Sequence, residues 1–290
     1  MDAELEKFSS IALFVHPKLK QAMREANMIA EYLTRYQVKT AVGYLNDDSL
    51  RDKVQSEDFD LVVTLGGDGT VLRAGHLCAP RDIPILAINH GSFGFLIEVE
   101  AGKWQAYIDD LIAGKFWFEK RMMLQCDLRR EGTVAGSWDV LNEVVIGRGQ
   151  MARPVQLTAR LDGNPLTTYV ADALIVSTPT GSTAYALAAG GPILPPELRN
   201  ILLIPVAPHI SMDRAIVLAE GASVVVEALS TPAIISVDGQ TPVKLRKGDQ
   251  VYVYLSEYNL RFVRFQKAGY FYSRIISLMD QHPSTGEVEK

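Results

Sequence analysis

The chain has 290 residues, 48% of them apolar and 22% charged, with a formal net charge of -5. That length lets a fold bury about three quarters of its unfolded surface and favours one large or two ordinary domains. The acidic balance argues against a nucleic-acid binder. A polyanionic substrate would have to be held locally, by backbone N–H groups, a few Arg or Lys and bound Mg²⁺.

The N-terminus Met1-Asp2-Ala3-Glu4-Leu5-Glu6-Lys7 lacks the basic start and apolar centre of a signal peptide, and no apolar run approaches about 18 residues. A cytoplasmic, non-membrane protein is expected. The two cysteines, Cys78 and Cys126, are too few for a disulfide framework or a four-ligand zinc site and read as core thiols.

Short apolar runs then alternate with helical spacing: Ile11 to Val15, Ala22, Ala26, Ile29 and Leu33, Val38 to Val42, Leu61 to Leu65, and Ile85 to Ile88. Runs that are apolar on consecutive positions suit strands buried on both faces, and their alternation with helices suits a parallel sheet. Trp104, Tyr107, Ile108 and Leu111 signal one more helix before Gly114. From about Phe116 the period changes to two, with Val155, Leu157, Ala159 and Leu161 leading into Asp162-Gly163, a hairpin turn signal. Val224 to Leu229, Ile234 to Val237, Val251 to Leu255 and Leu260 to Phe265 follow, with Asp238-Gly239 as another turn. The expected architecture is an α/β N-terminal domain with a parallel Rossmann-like sheet (1-114) and a mainly antiparallel β-sandwich (115-268). A C-terminal segment (269-290) would pack back on the first domain, its polar tail from Gln281 fraying.

Three segments carry chemistry. The strand at Leu61 to Leu65 runs into Gly66-Gly67-Asp68-Gly69-Thr70, and a helical stretch is expected from Thr70. Strand, glycine turn and helix start place backbone N–H groups and the positive helix end at the carboxyl edge of a sheet. A carboxylate there would repel phosphate unless it binds Mg²⁺ or meets a hydroxyl about to be phosphorylated. A tight turn with a helix-capping Asp is the plainer alternative. A second glycine loop, Asn89-His90-Gly91-Ser92-Phe93-Gly94-Phe95-Leu96, leaves the same edge and could admit a base or ribose. The third segment, Asp172 to Pro192, has a hydroxyl-rich centre, Ser177-Thr178-Pro179-Thr180-Gly181-Ser182-Thr183. It reads as a turn before an Ala-rich helix, offering hydroxyls and unpaired N–H groups. Asn142-Glu143 adds a polar pair inside an apolar strand, where it needs a partner, structural or ligand.

In this order and spacing, these segments together with Asp238-Gly239-Gln240 and Lys247-Gly248-Asp249 resemble the bacterial NAD kinases over roughly residues 11 to 265. Gly-Gly-Asp-Gly alone is shared with phosphofructokinases and diacylglycerol-type lipid kinases; Thr178 to Tyr185 is the specific signature. The resemblance implies transfer of the γ-phosphate of ATP to the 2′-hydroxyl of the adenosine ribose of NAD, with Mg²⁺ or another divalent cation on the donor and no metal held by the chain itself. It implies Asp68 as catalytic base, Gly69 beside the dinucleotide, Arg73 near phosphate and Phe95 by the adenine. Asn142, Glu143, Asp172, Thr183, Ala184, Tyr185, Ala186, Leu187, Ala188 and Gln240 would line the NAD site, with Arg153 and Ala207 as further contacts. A homodimer or homotetramer is implied as well. The alternatives are a lipid or sugar kinase sharing the turn, or a dinucleotide sensor without chemistry.

Overall fold

The computed structural model describes residues 8–91, 94–150, 153–209, 212–267 and 269–281, the last five by backbone alone. Ser92 and Phe93 of the second glycine loop, and the tail beyond 281, lie outside the described residues. The chain divides into two compact units, Met1–Lys120 with Leu260–Lys290, and Arg121–Asn259.

The first unit begins β1 (Ser10–Val15), α1 (Lys20–Thr34), β2 (Lys39–Tyr44), α2 (Asp48–Ser56), β3 (Leu61–Gly66), α3 (Asp68–Cys78), β4 (Ile85–Asn89), β5 (Val99–Glu100) and α4 (Trp104–Ile112). The first four strands lie parallel in the order β2-β1-β3-β4, Ala12 opposite Val62 and Val63 opposite Leu86, as the buried runs require. Helix α1 turns the expected Ala22, Ala26, Ile29 and Leu33 inward, and α4 adds Trp104, Ile108 and Leu111 to the same core. Nothing in the apolar spacing announces α2, which buries only Leu50 and Val54; it is started by Asp47, whose side chain accepts from the N–H groups of Ser49 and Leu50.

The chain continues as β6 (Trp117–Arg130), which passes from the first unit into the second after Lys120, then β7 (Thr133–Val140), β8 (Glu143–Arg148), β9 (Val155–Leu161), β10 (Asn164–Ala171), β11 (Ala173–Ser177), α5 (Tyr185–Ala188), β12 (Asn200–Val206), β13 (Ile216–Ala219), β14 (Val224–Ala228), β15 (Ala233–Val237), β16 (Val243–Leu245) and β17 (Gln250–Arg264). One antiparallel sheet runs β13-β12-β11-β8-β15-β16. Strands β10, β9, β14 and the first part of β17 pair antiparallel in another, as do β6 and β7. Alternate residues of both groups, among them Val144, Ile146, Leu157, Ala159, Val226 and Val253, fill one core, which makes the unit a sandwich. Asp162-Gly163 and Asp238-Gly239 both take positive φ in succession, as the tight hairpin turn expected of Asp-Gly demands.

The strands expected at Val251 to Leu255 and Leu260 to Phe265 are one strand, β17, whose last part belongs to the first unit and lies parallel to β4, Phe262 opposite Ile85. Helix α6 (Tyr270–Gln281) also belongs to the first unit.

Candidate active site

In the first unit the site begins where β3 ends. Helix α3 starts at Asp68 rather than Thr70, with Gly67 as its cap residue, so the carboxylate belongs to the first helical turn, where the helix dipole favours negative charge. Gly66 and Asn89 are opposite each other at the ends of β3 and β4, and His90 N–H donates to the Gly66 carbonyl at 3.0 Å. The two glycine loops therefore leave the sheet side by side. His90 is tied to Glu25 of α1 at 2.9 Å, which makes it a fastening of the second loop.

Asp68 is clamped by that second loop. Its Oδ2 accepts from Phe95 N–H at 2.8 Å and its Oδ1 from Leu96 N–H at 3.1 Å. Gly94 is required beside it, because an added Cβ would collide with the Asp68 carboxylate. Phe95 thus contributes its backbone to Asp68, while its ring, half-buried, stands 6.1 Å from that of Phe271. Gly69 and Arg73 are exposed on the same helix as Asp68. A cleft of about 450 Å³ beside this loop is lined by residues including Asn89, Gly94, Glu98, Lys103, Tyr107 and Arg274.

In the second unit the polar pair inside the apolar strand finds its partner. Asp238 accepts from the N–H groups of Leu141, Asn142 and Glu143 at 2.7, 2.8 and 2.9 Å. The Asn142 carbonyl in turn accepts from Thr178 N–H, and Gly181 packs so closely on Asn142 that no side chain fits there. Gln240 lies exposed at the end of the Asp238 turn. Glu143 is buried with Oε2 unbonded; burial first, and the charge of Asp238 second, push its carboxyl up to about 8. Near neutral pH that carboxyl is mostly protonated and can donate a hydrogen bond.

The hydroxyl-rich segment differs from expectation. It closes into a short 3₁₀ turn, Gly181–Thr183, followed by the four-residue α5. Four of its five hydroxyls bond backbone instead of facing outward, Thr178 to Leu141 O, Ser177 to Asn142 O, Ser182 to Pro179 O and Thr183 to Thr180 O, while that of Thr180 accepts from Arg121 at 3.3 Å. Such local bonds compete with a longer helix. Thr183 and Ala184 are half-buried, Tyr185, Leu187 and Ala188 exposed, and Ala186 lies wholly in a small core with Ile175, Leu202 and Ile204.

Asp172 sits at the other end of the β8–β11 pair, level with Arg148 and so five residues along from Glu143, or about 17 Å at the usual rise per residue. It forms an ion pair with Arg148 at 3.0 Å, and its N–H donates to the Val206 carbonyl. Ala207 follows directly, exposed and with φ of 45°, a left-handed backbone that a non-glycine residue adopts at some cost. Arg153 is exposed. The sequence reading passed over Arg148 and the clamping role of Gly94 and Asp238. Only the doublet Asp-Gly marked the last of these beforehand, and as a turn.

A parallel α/β unit with a clamped aspartate at a Gly-Gly-Asp-Gly helix start, in a chain that also carries an antiparallel sandwich, marks a phosphotransferase of the Gly-Gly-Asp-Gly type. Two family models match the chain, the ATP-NAD kinase N-terminal domain over residues 36–116 and the ATP-NAD kinase C-terminal domain over residues 141–265. An NAD kinase from Chloroflexus aggregans is 37% identical over 269 residues, 92% of this chain and 97% of its own. One from Citrifermentans bemidjiense is 38% identical over 273 residues, covering 90% and 95%. Among solved structures, an NAD kinase from Archaeoglobus fulgidus in complex with ATP superposes with a TM-score of 0.75 at 26% identity, covering 92% of this chain and 98% of that one. Yeast NADH kinase complexed with NADH has the same fold, with a TM-score of 0.84 at 23% identity and coverages of 98% and 91%. The chain belongs to the ATP-NAD kinase family.

Proposed function

We infer that this protein is an NAD kinase that transfers the γ-phosphate of ATP to the 2′-hydroxyl of the adenosine ribose of NAD, giving NADP and ADP. The observation that carries the residue assignment is the Asp68 carboxylate, fixed by two backbone N–H groups at the start of α3. A bond forms between the ribose oxygen and the γ-phosphorus, the bond from that phosphorus to the β–γ bridging oxygen breaks, and the hydroxyl proton passes to Asp68. A loose transition state needs little prior deprotonation, so an ordinary carboxylate suffices: it orients the hydroxyl and takes its proton late.

On this reading the first unit, Met1–Lys120 with Leu260–Lys290 in place of the expected 1-114, is the catalytic domain, and Arg121–Asn259, in place of 115-268, is the dinucleotide-binding domain; 269-290 serves the first. Asn142, Glu143, Asp172, Thr183, Ala184, Tyr185, Leu187, Ala188 and Gln240 line the NAD site, with Arg153 and Ala207 as outer contacts; Ala186 takes part by its backbone, since its side chain is buried. Protonated Glu143 suits a sugar hydroxyl as hydrogen-bond donor. Phe95 lies by the adenine, with Gly69 and Arg73 toward the phosphates. Among the described residues no group of three His, Cys, Asp or Glu side chains gathers to hold a metal ion. We assign the divalent cation to the substrate, as Mg²⁺-ATP, because the donor phosphates carry the charge that needs neutralising in phosphoryl transfer. Among the described residues no helix is long and apolar enough to cross a membrane; the proposed setting is the cytoplasm, and the proposed assembly a homodimer or homotetramer.

Purified protein given Mg²⁺-ATP and NAD should form NADP, read by enzymatic cycling. Asp68→Asn should lower kcat by about 10²- to 10⁴-fold while NAD still binds by calorimetry. Near-normal turnover in that variant removes Asp68 from the catalytic role.

A further inference from the structure

On the far side of the loop that clamps Asp68, the first unit buries a cluster of charges. Arg264, at the end of β17, is wholly buried; its Nε lies 2.8 Å from Glu119 and its Nη1 3.2 Å from Glu98, both carboxylates buried as well. Tyr270 of α6 donates to Glu119 at 3.0 Å. Arg274, one turn further along α6 and 13% exposed, brings a second cation 3.8 Å from Glu98. Two cations and two carboxylates balance, but buried ions are a costly way to join elements that apolar side chains could join.

What the cluster grips is the segment from Phe95 to Glu98. Arg264 Nη1 donates to the Leu96 carbonyl at 3.2 Å, and Glu98 Oε1 accepts from Phe265 and Gln266 N–H at 2.9 and 3.3 Å. Arg274 Nη1 reaches the Phe95 carbonyl at a long 3.5 Å. The Phe95 carbonyl and the Leu96 N–H belong to one peptide unit. That unit has a guanidinium on its oxygen and the Asp68 carboxylate on its N–H. A cation on the carbonyl side polarises the peptide and strengthens the bond its N–H donates. It also opposes any rotation of the peptide that would release the carboxylate.

We propose that Arg274 is a positioning residue for phosphoryl transfer, holding the Asp68 carboxylate in place through the Phe95–Leu96 peptide, and that α6 is thereby a working part of the active site. The proposal rests on the catalytic role given to Asp68. Burial and Arg264 pull the Arg274 guanidinium below its ordinary range, against Glu98, Tyr270 and Asp68, so the catalytic carboxylate is among the charges that Arg274 feels. The outer face of α6, with Tyr272 and Ile276 exposed, takes no part in this grip.

The test is a double-mutant cycle on the full chain with Asp68→Asn, Arg274→Gln and their combination, assayed for NADP formation, with Ile276→Ala as a control on α6. Arg274→Gln is expected to lower kcat by about 10- to 10²-fold, the cost of slightly misplacing a reacting group, with the KM for NAD within about twofold of the parent. In the Asp68→Asn background the same change should cost less than about twofold, because Arg274 acts only through that carboxylate. Arg274→Lys, which keeps a cation in the cluster, should recover part of the rate; it takes the place of the Gln variant in the cycle should that variant fold poorly. An equal loss from Arg274→Gln in both backgrounds, or unchanged turnover in the parent background, overturns the proposal. An inactive Asp68→Asn beside a fully active Arg274→Gln removes the role of α6 alone, whereas an active Asp68→Asn removes the Asp68 reading beneath it.

Discussion

Two carboxyl groups in this protein are set to opposite tasks by their surroundings. Asp68, half-buried, accepts two backbone N–H bonds at a helix start and so serves as an acceptor. Glu143 is buried beside the negative Asp238 and is held protonated, up to about 8. Its folded value lies above the ordinary 4.5, so its contribution to stability is complete below about 4.5 and is lost as pH rises toward 8. Glu143→Gln removes that loss. Thermal unfolding scans from acid to mildly alkaline pH should show the parent's midpoint declining across this window more steeply than the variant's. Parallel curves would mean that Glu143 does not carry the titration.

At the scale of elements, the loops at the strand ends are shaped by bonds to backbone rather than by side chains packing on one another. Leu141, Asn142 and Glu143 enter β8 through three N–H groups that all converge on Asp238, at the turn after β15. An amide has one acceptor oxygen where the carboxylate has two. Asp238→Asn should therefore leave at least one of these N–H groups unsatisfied, costing about 1–3 kcal/mol in denaturant unfolding. It should also raise the KM for NAD, because Asn142 and Glu143 lose their fixed entry. A variant with parental stability and KM would show the clamp to be dispensable. The segment from Ser177 to Thr183 teaches the same lesson. Ser, Thr and Gly in succession read as an open helix start, yet four of the five hydroxyls bond carbonyls, that of Thr180 accepts from Arg121, and the helix shrinks to one turn.

At the scale of the molecule, the chain makes one α/β unit, leaves it for a sandwich and returns at Leu260. Each unit has its own core, and the proposed cation travels with the nucleotide rather than with either fold. Excess EDTA should therefore abolish NADP formation while leaving the unfolding midpoint of the nucleotide-free protein within error, and added Mg²⁺ should restore turnover. A midpoint lowered by chelation would point to a structural ion. The parallel strands, helices α1 and α4, the sandwich and the Gly-Gly-Asp-Gly turn were legible in the sequence, because apolar period and glycine placement are local properties that burial and tight turns impose directly. The continuity of β17 was not, since polar Glu257, Tyr258 and Asn259 read as a break while strand pairing carries the backbone through. Nor was the grip on Asp68. Arg264 meets Glu98 across 166 positions of sequence and Leu96 across 168, encounters that exist because the end of β17 lies beside β4. By itself the sequence determined which residues are buried, where the chain turns and which family the motifs resemble; only the tertiary structure decided which charges meet and which peptide holds the Asp68 carboxylate. Local spacing records apolarity, whereas the partner of a buried charge is chosen by the path of the whole chain.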